Sequence, residues 1–286
     1  MNPKIATDKN NALYMVYYDS GAQQVRFRYG SSSGQGGFVS HGGSNTSATP
    51  YQVIAGVKDV LNYSAVKTAN ATRAGEYVAV GATNETTPAA IVVWYSEADQ
   101  GLYYTYNTTP SNQNGWTDAV LIDDDFVGWY VDLVVDGANG VHIAYYDASN
   151  GDLKYAYVQD YTNPSAVKTM TVDSYLSSGT NISISVKKVG DNYVPYISSF
   201  MSSFNKTSYT VRTAWITDGS LLKTATAANL AGVNGNDDFT GVWEVMTIPL
   251  AKESIPLDYS VGIGIKSNQP ILGYGTQNGL ETATLK

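Results

Sequence analysis

Residues 130–157 read Tyr130-Val-Asp-Leu-Val-Val-Asp-Gly-Ala-Asn-Gly-Val-His-Ile-Ala-Tyr-Tyr-Asp-Ala-Ser-Asn-Gly-Asp-Leu-Lys-Tyr-Ala-Tyr157. Val131, Leu133 and Val135 recur at every second position, with Asp132 and Asp136 between and after them. A period of two places successive side chains on opposite faces of an extended chain, so this is a strand. Asp136-Gly-Ala-Asn-Gly140 follows, and Gly and Asn tolerate the positive φ that a tight turn requires. Val141, Ile143 and Tyr145 alternate through a second strand. Asn150-Gly151 marks a hairpin, and Leu153, Tyr155 and Tyr157 make a third strand. The stretch is a three-strand meander.

The same plan returns along the chain. At 3–29 a strand over Lys4–Thr7 precedes a polar turn at Asp8–Asn11, a strand over Ala12–Tyr18, the turn Asp19-Ser-Gly21, and Val25, Phe27 and Tyr29 in alternation. At 259–285 the strands are Tyr259–Ile265, Ile271–Tyr274 and Leu280–Leu285. A looser copy runs from Asn181 through Tyr193–Phe200 to Tyr209–Trp215. A fifth pairs Ala90–Tyr95 with Leu102, Tyr104 and Tyr106, after an insertion read at Asn70–Asn84. Between the copies, Tyr51–Ala55, Ala119–Ile122, Val167–Val172 and Trp243–Ile248 have the length and position of a fourth, outer strand.

Repetition of a four-strand antiparallel unit predicts an all-β chain of the β-propeller class, because each unit buries its faces only against its neighbours. The count is five blades of three to four strands, at approximately 1–60, 61–125, 126–175, 176–250 and 251–286 of one domain. Six or seven blades would require 66–80 or 217–255 to hold another, and a β-sandwich is the competing architecture. The last unit is read as ending after its third strand.

Asp132-Leu-Val-Val-Asp-Gly-Ala-Asn-Gly-Val-His-Ile-Ala-Tyr-Tyr-Asp147, continued by Gly151-Asp-Leu-Lys-Tyr-Ala156, resembles a propeller repeat of secreted and surface-anchored bacterial proteins. Tyr17-Tyr-Asp19 matches that repeat in part and the other copies in outline. The resemblance, loosely to the sialidase superfold, implies a fold and an extracellular or bacterial cell-surface compartment. It implies no activity, since this fold hosts many.

Composition narrows the function classes. The 286 residues carry a net charge of −8, and Arg26, Arg28, Arg73 and Arg212 are the only arginines. Such a chain repels phosphate backbones, which argues against nucleic-acid binding. There is no cysteine, which excludes disulfides, thiolate zinc sites and cysteine nucleophiles. No apolar run is long enough for a membrane-spanning helix, and Met1-Asn-Pro-Lys4 has no signal core. The chain is read as a mature or excised domain, part of a longer polypeptide.

Candidate site residues come from a second echo. Asp124-Asp125-Phe126-Val-Gly-Trp129 is answered by Asp237-Asp238-Phe239-Thr-Gly-Val-Trp243, both near joins between units. Aromatic faces for stacking beside carboxylates for hydroxyl donors are what a sugar needs. The competing reading is an acidic turn whose aromatic residue plugs between neighbouring blades. Asp19 and Asp147 each follow a tyrosine pair at a hairpin and would share a rim with Asp99, Asp125 and Asp238. Alternatively, each simply starts its turn by accepting bonds from its own backbone. Calcium held by such carboxylates is the one cofactor considered; none is otherwise expected. His41 and His142 have no ligand spacing and are read as structural.

Sialidases use three arginines around a carboxylate, and Arg26 and Arg28 share one strand here, which leaves too few. Ser111-Asn-Gln-Asn-Gly-Trp-Thr117 resembles the Asp-box turn of those enzymes, with Gln113 where Asp should stand. The expected function is therefore a non-catalytic extracellular binding or display module, recognising carbohydrate or a protein partner in adhesion. The alternatives are a carbohydrate-active hydrolase using Asp124, Asp125, Asp238 or Glu244, and a structural spacer.

Overall fold

The computed structural model describes residues 3–30, 51–56, 74–202, 209–216, 243–249, 261–276 and 279–285. Nineteen strands form five antiparallel sheets among these residues. The first holds β1 (Lys4–Thr7), β2 (Leu13–Asp19), β3 (Gln24–Gly30) and β4 (Gln52–Gly56), in that order. The second orders β5 (Ala74–Ala82), β6 (Ala90–Ser96), β7 (Gly101–Asn107) and β8 (Val120–Asp123). The third orders β9 (Val127–Val135), β10 (Val141–Asp147), β11 (Asp152–Val158) and β12 (Lys168–Asp173). The fourth orders β13 (Ser177–Val189), β14 (Asn192–Ser202), β15 (Tyr209–Ile216) and β16 (Trp243–Pro249). The fifth holds β17 (Val261–Lys266), β18 (Gln269–Thr276) and β19 (Gly279–Thr284).

These strands follow the repeat read from the sequence, except that β9 and β13 begin earlier than read, at Val127 and Ser177, and that 74–82 is the first strand of the second sheet, where an insertion was expected. Its Ala/Gly-rich sequence has little β-propensity of its own. It is a strand because it pairs with β6, Val78 opposite Trp94 through Ala82 opposite Ala90.

By packing, the chain divides into two compact units. One comprises 1–131, 135–140 and 160–165; the other comprises 132–134, 141–159 and 166–286. In the first unit the core is built from Tyr14, Val16, Val25, Phe27, Ile54, Val80, Val92, Trp94 and Trp116. Every residue of β6 is buried, so this strand is apolar on both faces rather than alternating. The 111–117 turn, which includes a 3-10 turn at Gln113–Gly115, joins the first two sheets. Trp116 packs edge-on to Phe27 at 4.9 Å and donates its indole N–H to Gln52 Oε1 at 2.6 Å, while Gln52 donates to the Pro110 carbonyl. The capping oxygen of this turn belongs to Asn112, which accepts from the Asn114 amide.

In the second unit β10 is again buried along most of its length, and His142 lies within it, fully buried with Nδ1 2.7 Å from the Tyr155 hydroxyl. This histidine is structural, as its sequence context suggests. Phe200, Val211, Leu272 and Tyr274 join the fourth and fifth sheets.

The turn from first to second strand is built the same way in two repeats. Asp136 accepts from the amides of Ala138 and Gly140 through Oδ1. Asp8 accepts from those of Asn10 and Ala12, and its second oxygen accepts a hydrogen bond from the Tyr14 hydroxyl at 2.8 Å. Both carboxylates are buried. Asp136→Ala is expected to destabilise by about 1–2 kcal/mol through the orphaned amides. Asp8→Ala should cost about 2–4 kcal/mol, because the buried Tyr14 hydroxyl loses its acceptor together with the two amides. Urea unfolding of each variant beside the parent tests this, and an unchanged midpoint would contradict it.

Candidate functional site

The loop from β8 to β9 lies across the β6–β7 hairpin, where the Val127 amide donates to the Gln100 carbonyl at 3.1 Å. One repeat on, the Ser178 amide donates to the Gly151 carbonyl at 3.0 Å in the same way. Each contact is followed by a glycine at φ +109, Gly128 and Gly179. A Cβ there would meet Leu102 Cβ at 3.2 Å or Leu153 Cα at 3.0 Å, so close approach and backbone hand both demand glycine.

Asp125, Phe126 and Tyr130 also hold positive φ, of 76, 63 and 51. Left-handed backbone at non-glycine residues costs of order 1–3 kcal/mol each and persists only where packing enforces it. The packing here is aromatic. Trp129 stacks on Tyr77 at 5.6 Å, meets Phe126 edge-on at 5.1 Å and Tyr95 at 6.2 Å. Tyr130 lies 4.9 Å from Tyr77. Tyr95 is buried beneath the others, and Tyr77, Phe126, Trp129 and Tyr130 are each partly exposed.

The edge of this surface is polar. Glu76, Glu97, Asp124 and Asp125 are all exposed. Burial, then Tyr130, then Glu76 push the Tyr77 hydroxyl well above its ordinary pKa. Tyr95 is raised by burial; the Trp129 indole N–H, directed at its hydroxyl, works against this, and Glu97 adds to it. That indole N–H is buried and makes no hydrogen bond of good geometry. At neutral pH Tyr77 and Tyr95 are therefore uncharged, and the charged groups acting on them are Glu76 and Glu97.

The other sequence-derived candidates fall elsewhere. Asp19 accepts from the Gly21 and Ala22 amides and pairs with Arg26, while Asp147 accepts from Ser149, Asn150 and the Asn150 side chain. Both act as turn starters. Asp152 faces Asp147, and its carboxyl is raised by burial, by Asp147 and by Asp173. Trp243 is only 3% exposed, edge-on to Tyr155 at 5.3 Å with its indole N–H on the Met170 sulfur. This ring fills the core between β11, β12 and β16 and offers no face to a ligand, which corrects its assignment to a ligand surface. Asp238 and Phe239 lie outside the described residues. Among the described residues no group of three or more His, Asp or Glu side chains is placed to hold a metal ion.

Glu76, Tyr77, Tyr95, Glu97 and Tyr130 were not singled out by the sequence. A signal existed for one of them: Trp94-Tyr95-Ser96 ends the second strand where Tyr17-Tyr18-Asp19 and Tyr145-Tyr146-Asp147 end theirs. Replacing Asp by Ser hid the equivalence.

The described guanidinium groups near carboxylates are tied down locally. Arg26 pairs with Asp19 and lies 3.9 Å over the Tyr51 ring. Arg212 grips Asp173 through Nε and, at 3.0 Å, through Nη2.

No protein-family model and no curated protein matches the chain. Solved structures do. A leech intramolecular trans-sialidase is 13% identical with a TM-score of 0.50 over 96% of this chain and 36% of that one. An intramolecular trans-sialidase from Ruminococcus gnavus is 11% identical, TM-score 0.50, over 96% and 51%. A NanB sialidase mutant from Streptococcus pneumoniae is 10% identical, TM-score 0.51, over 91% and 34%. The chain thus spans about a third to a half of the length of these structures. Identity at this level shows the fold, which is a β-propeller of sialidase-like type rather than a sandwich. No helix among the described residues is long and apolar enough to cross a membrane.

Two measurements separate surface from core. Trp243→Ala should destabilise by about 3–5 kcal/mol through the cavity it leaves, against about 1–2 kcal/mol for Trp129→Ala. Guanidinium unfolding checks the gap, and equal losses would place Trp129 in the core as well. Tyr103, beside Asp99, and Tyr161, beside Glu85, are each pushed up to about 12, first by burial. Above pH ~10 the unfolded chain releases these protons before the folded one, so stability is intact below that pH and is lost as pH rises toward ~12. Thermal melts between pH 9 and roughly 12 should show a steady decline that Tyr103→Phe with Tyr161→Phe reduces.

Proposed function

We propose that the chain is a non-catalytic glycan-binding module of an extracellular or bacterial-surface protein, and that its ligand lies on the Tyr77–Phe126–Trp129–Tyr130 surface. The observation that carries this reading is a comparison between repeats. Gly128-Trp129-Tyr130 and Gly179-Thr180-Asn181 share one backbone path, with the same glycine and the same left-handed third residue. The fold therefore needs the glycine but not the rings. Rings placed where the scaffold does not demand them, partly exposed and edged with carboxylates, suit the apolar face of a sugar and its hydroxyl donors.

The likeness to sialidases supports a carbohydrate-related role. The pairing of Arg26 and Arg212 with aspartates of their own surroundings argues against the arginine-based recognition those enzymes use.

A glycan array probed with the full chain tests the proposal. Trp129→Ala and Tyr77→Ala should each weaken the best hit about tenfold, the value of roughly 1–1.5 kcal/mol of stacking. Unchanged binding in both variants would remove this surface from the reading. Binding only to proteins would favour an adhesion partner, and no binding at all would favour a spacer. Release of aglycone from aryl glycosides would replace the module by a hydrolase.

A further inference from the structure

We infer that the Tyr77–Trp129 surface selects glycans bearing free amino groups and turns away acidic sugars. This rests on the glycan-binding reading above and adds the charge of the ligand to it. Four exposed carboxylates, Glu76, Glu97, Asp124 and Asp125, lie on or beside the residues that present the rings. The charged groups acting on Tyr77 and Tyr95 are Glu76 and Glu97. The described cations that sit over aromatic faces, Arg26, Lys154, Lys188 and Arg212, use Tyr51, Tyr145, Tyr193 and Tyr175 instead. Tyr77 and Trp129 stack on one another and each stays partly exposed, which leaves ring surface that an outside cation can reach.

The rings and the carboxylates act in the same direction. An aromatic face carries negative potential and attracts an ammonium group set over it. Carboxylates at the edge add their own attraction, and a chain of net charge −8 extends the bias to longer range. A uronic or sialic acid would face the same field with the opposite sign. An amino sugar can lay its apolar face on Trp129 while its ammonium group reaches Glu76 or Glu97.

The probes are oligomers of glucosamine, of N-acetylglucosamine and of galacturonic acid, titrated calorimetrically into the full chain at about pH 5.5, where the amines are protonated. The glucosamine oligomer should bind about tenfold more tightly than its acetylated counterpart, the combined size of two weak charge contacts, and the galacturonate most weakly. That preference should narrow as salt rises and in the E76Q/E97Q double variant, with tryptophan emission confirming that both proteins fold. Equal affinity for amine and acetamide, a galacturonate preference, or a ratio untouched by salt and by E76Q/E97Q would overturn the inference. If none of the three binds while the array still shows hits lost in W129A, charge selection falls and the glycan-binding reading stands. If W129A binds all three as the parent does, the aromatic surface itself is lost.

Discussion

One main-chain hydrogen bond recurs at the join between repeats, and the candidate surface depends on it. The amide of Val127 reaches across its hairpin to the Gln100 carbonyl, as the Ser178 amide reaches the Gly151 carbonyl. Such a crossing brings backbone against backbone, and the next residue has no room for a side chain, hence Gly128 and Gly179. From that fixed point the chain leaves in a left-handed conformation at Tyr130 or Asn181. The scaffold sets the path and leaves the intervening side chains unconstrained. In one repeat those side chains are Trp129 and Tyr130, and in the other Thr180 and Asn181. Phe126, left-handed as well, packs edge-on against Trp129, whereas the left-handed Asp125 has a counterpart in Leu176 of the next repeat.

Two of the arginines are tied into the fold. Arg212 lies on β15 with Ser199 opposite, and it reaches to Asp173 at the end of β12. Both partners are largely buried, so the pair ties neighbouring sheets, and removing either member would leave the other charge uncompensated. Arg26 is held by Asp19, which also organises the β2–β3 turn. A guanidinium held this way is a structural cation and has little capacity left for a carboxylate ligand. The likeness to sialidases is a likeness of fold.

Much of the fold was legible because burial on both faces or on one writes itself into composition and period. Four outer strands, 52–56, 120–123, 168–173 and 243–249, fall where short apolar runs stood between meanders. The strand at 74–82 was missed because its small residues carry no alternation and its pairing with β6 is a tertiary fact. Strand starts at Val127 and Ser177 were read late for a related reason: bulged, left-handed backbone breaks the period of two on which the reading depends. Of the site, Phe126, Trp129, Asp124 and Asp125 were found through their echo at 237–243. The echo itself was misleading about Trp243. Two similar local sequences diverge because Trp129 opens an inner strand after a crossing loop, whereas Trp243 opens an outer strand already covered by Tyr155 and Met170.

That divergence bears on what a repeat protein can encode. A buried ring such as Trp116 or Trp243 has its N–H placed on a defined acceptor, Gln52 in one case and the Met170 sulfur in the other. The Trp129 N–H is buried without a well-formed bond, and the ring above it is partly exposed. Buried donors are seldom left so, since the loss is about 1–3 kcal/mol. The corresponding residues at 179–181 take the same path, with Leu176 and Asn181 left-handed as Asp125 and Tyr130 are, and without an indole N–H to satisfy. The backbone path therefore does not account for the rings at 129 and 130, whereas Trp116 and Trp243 are accounted for by the cores they fill.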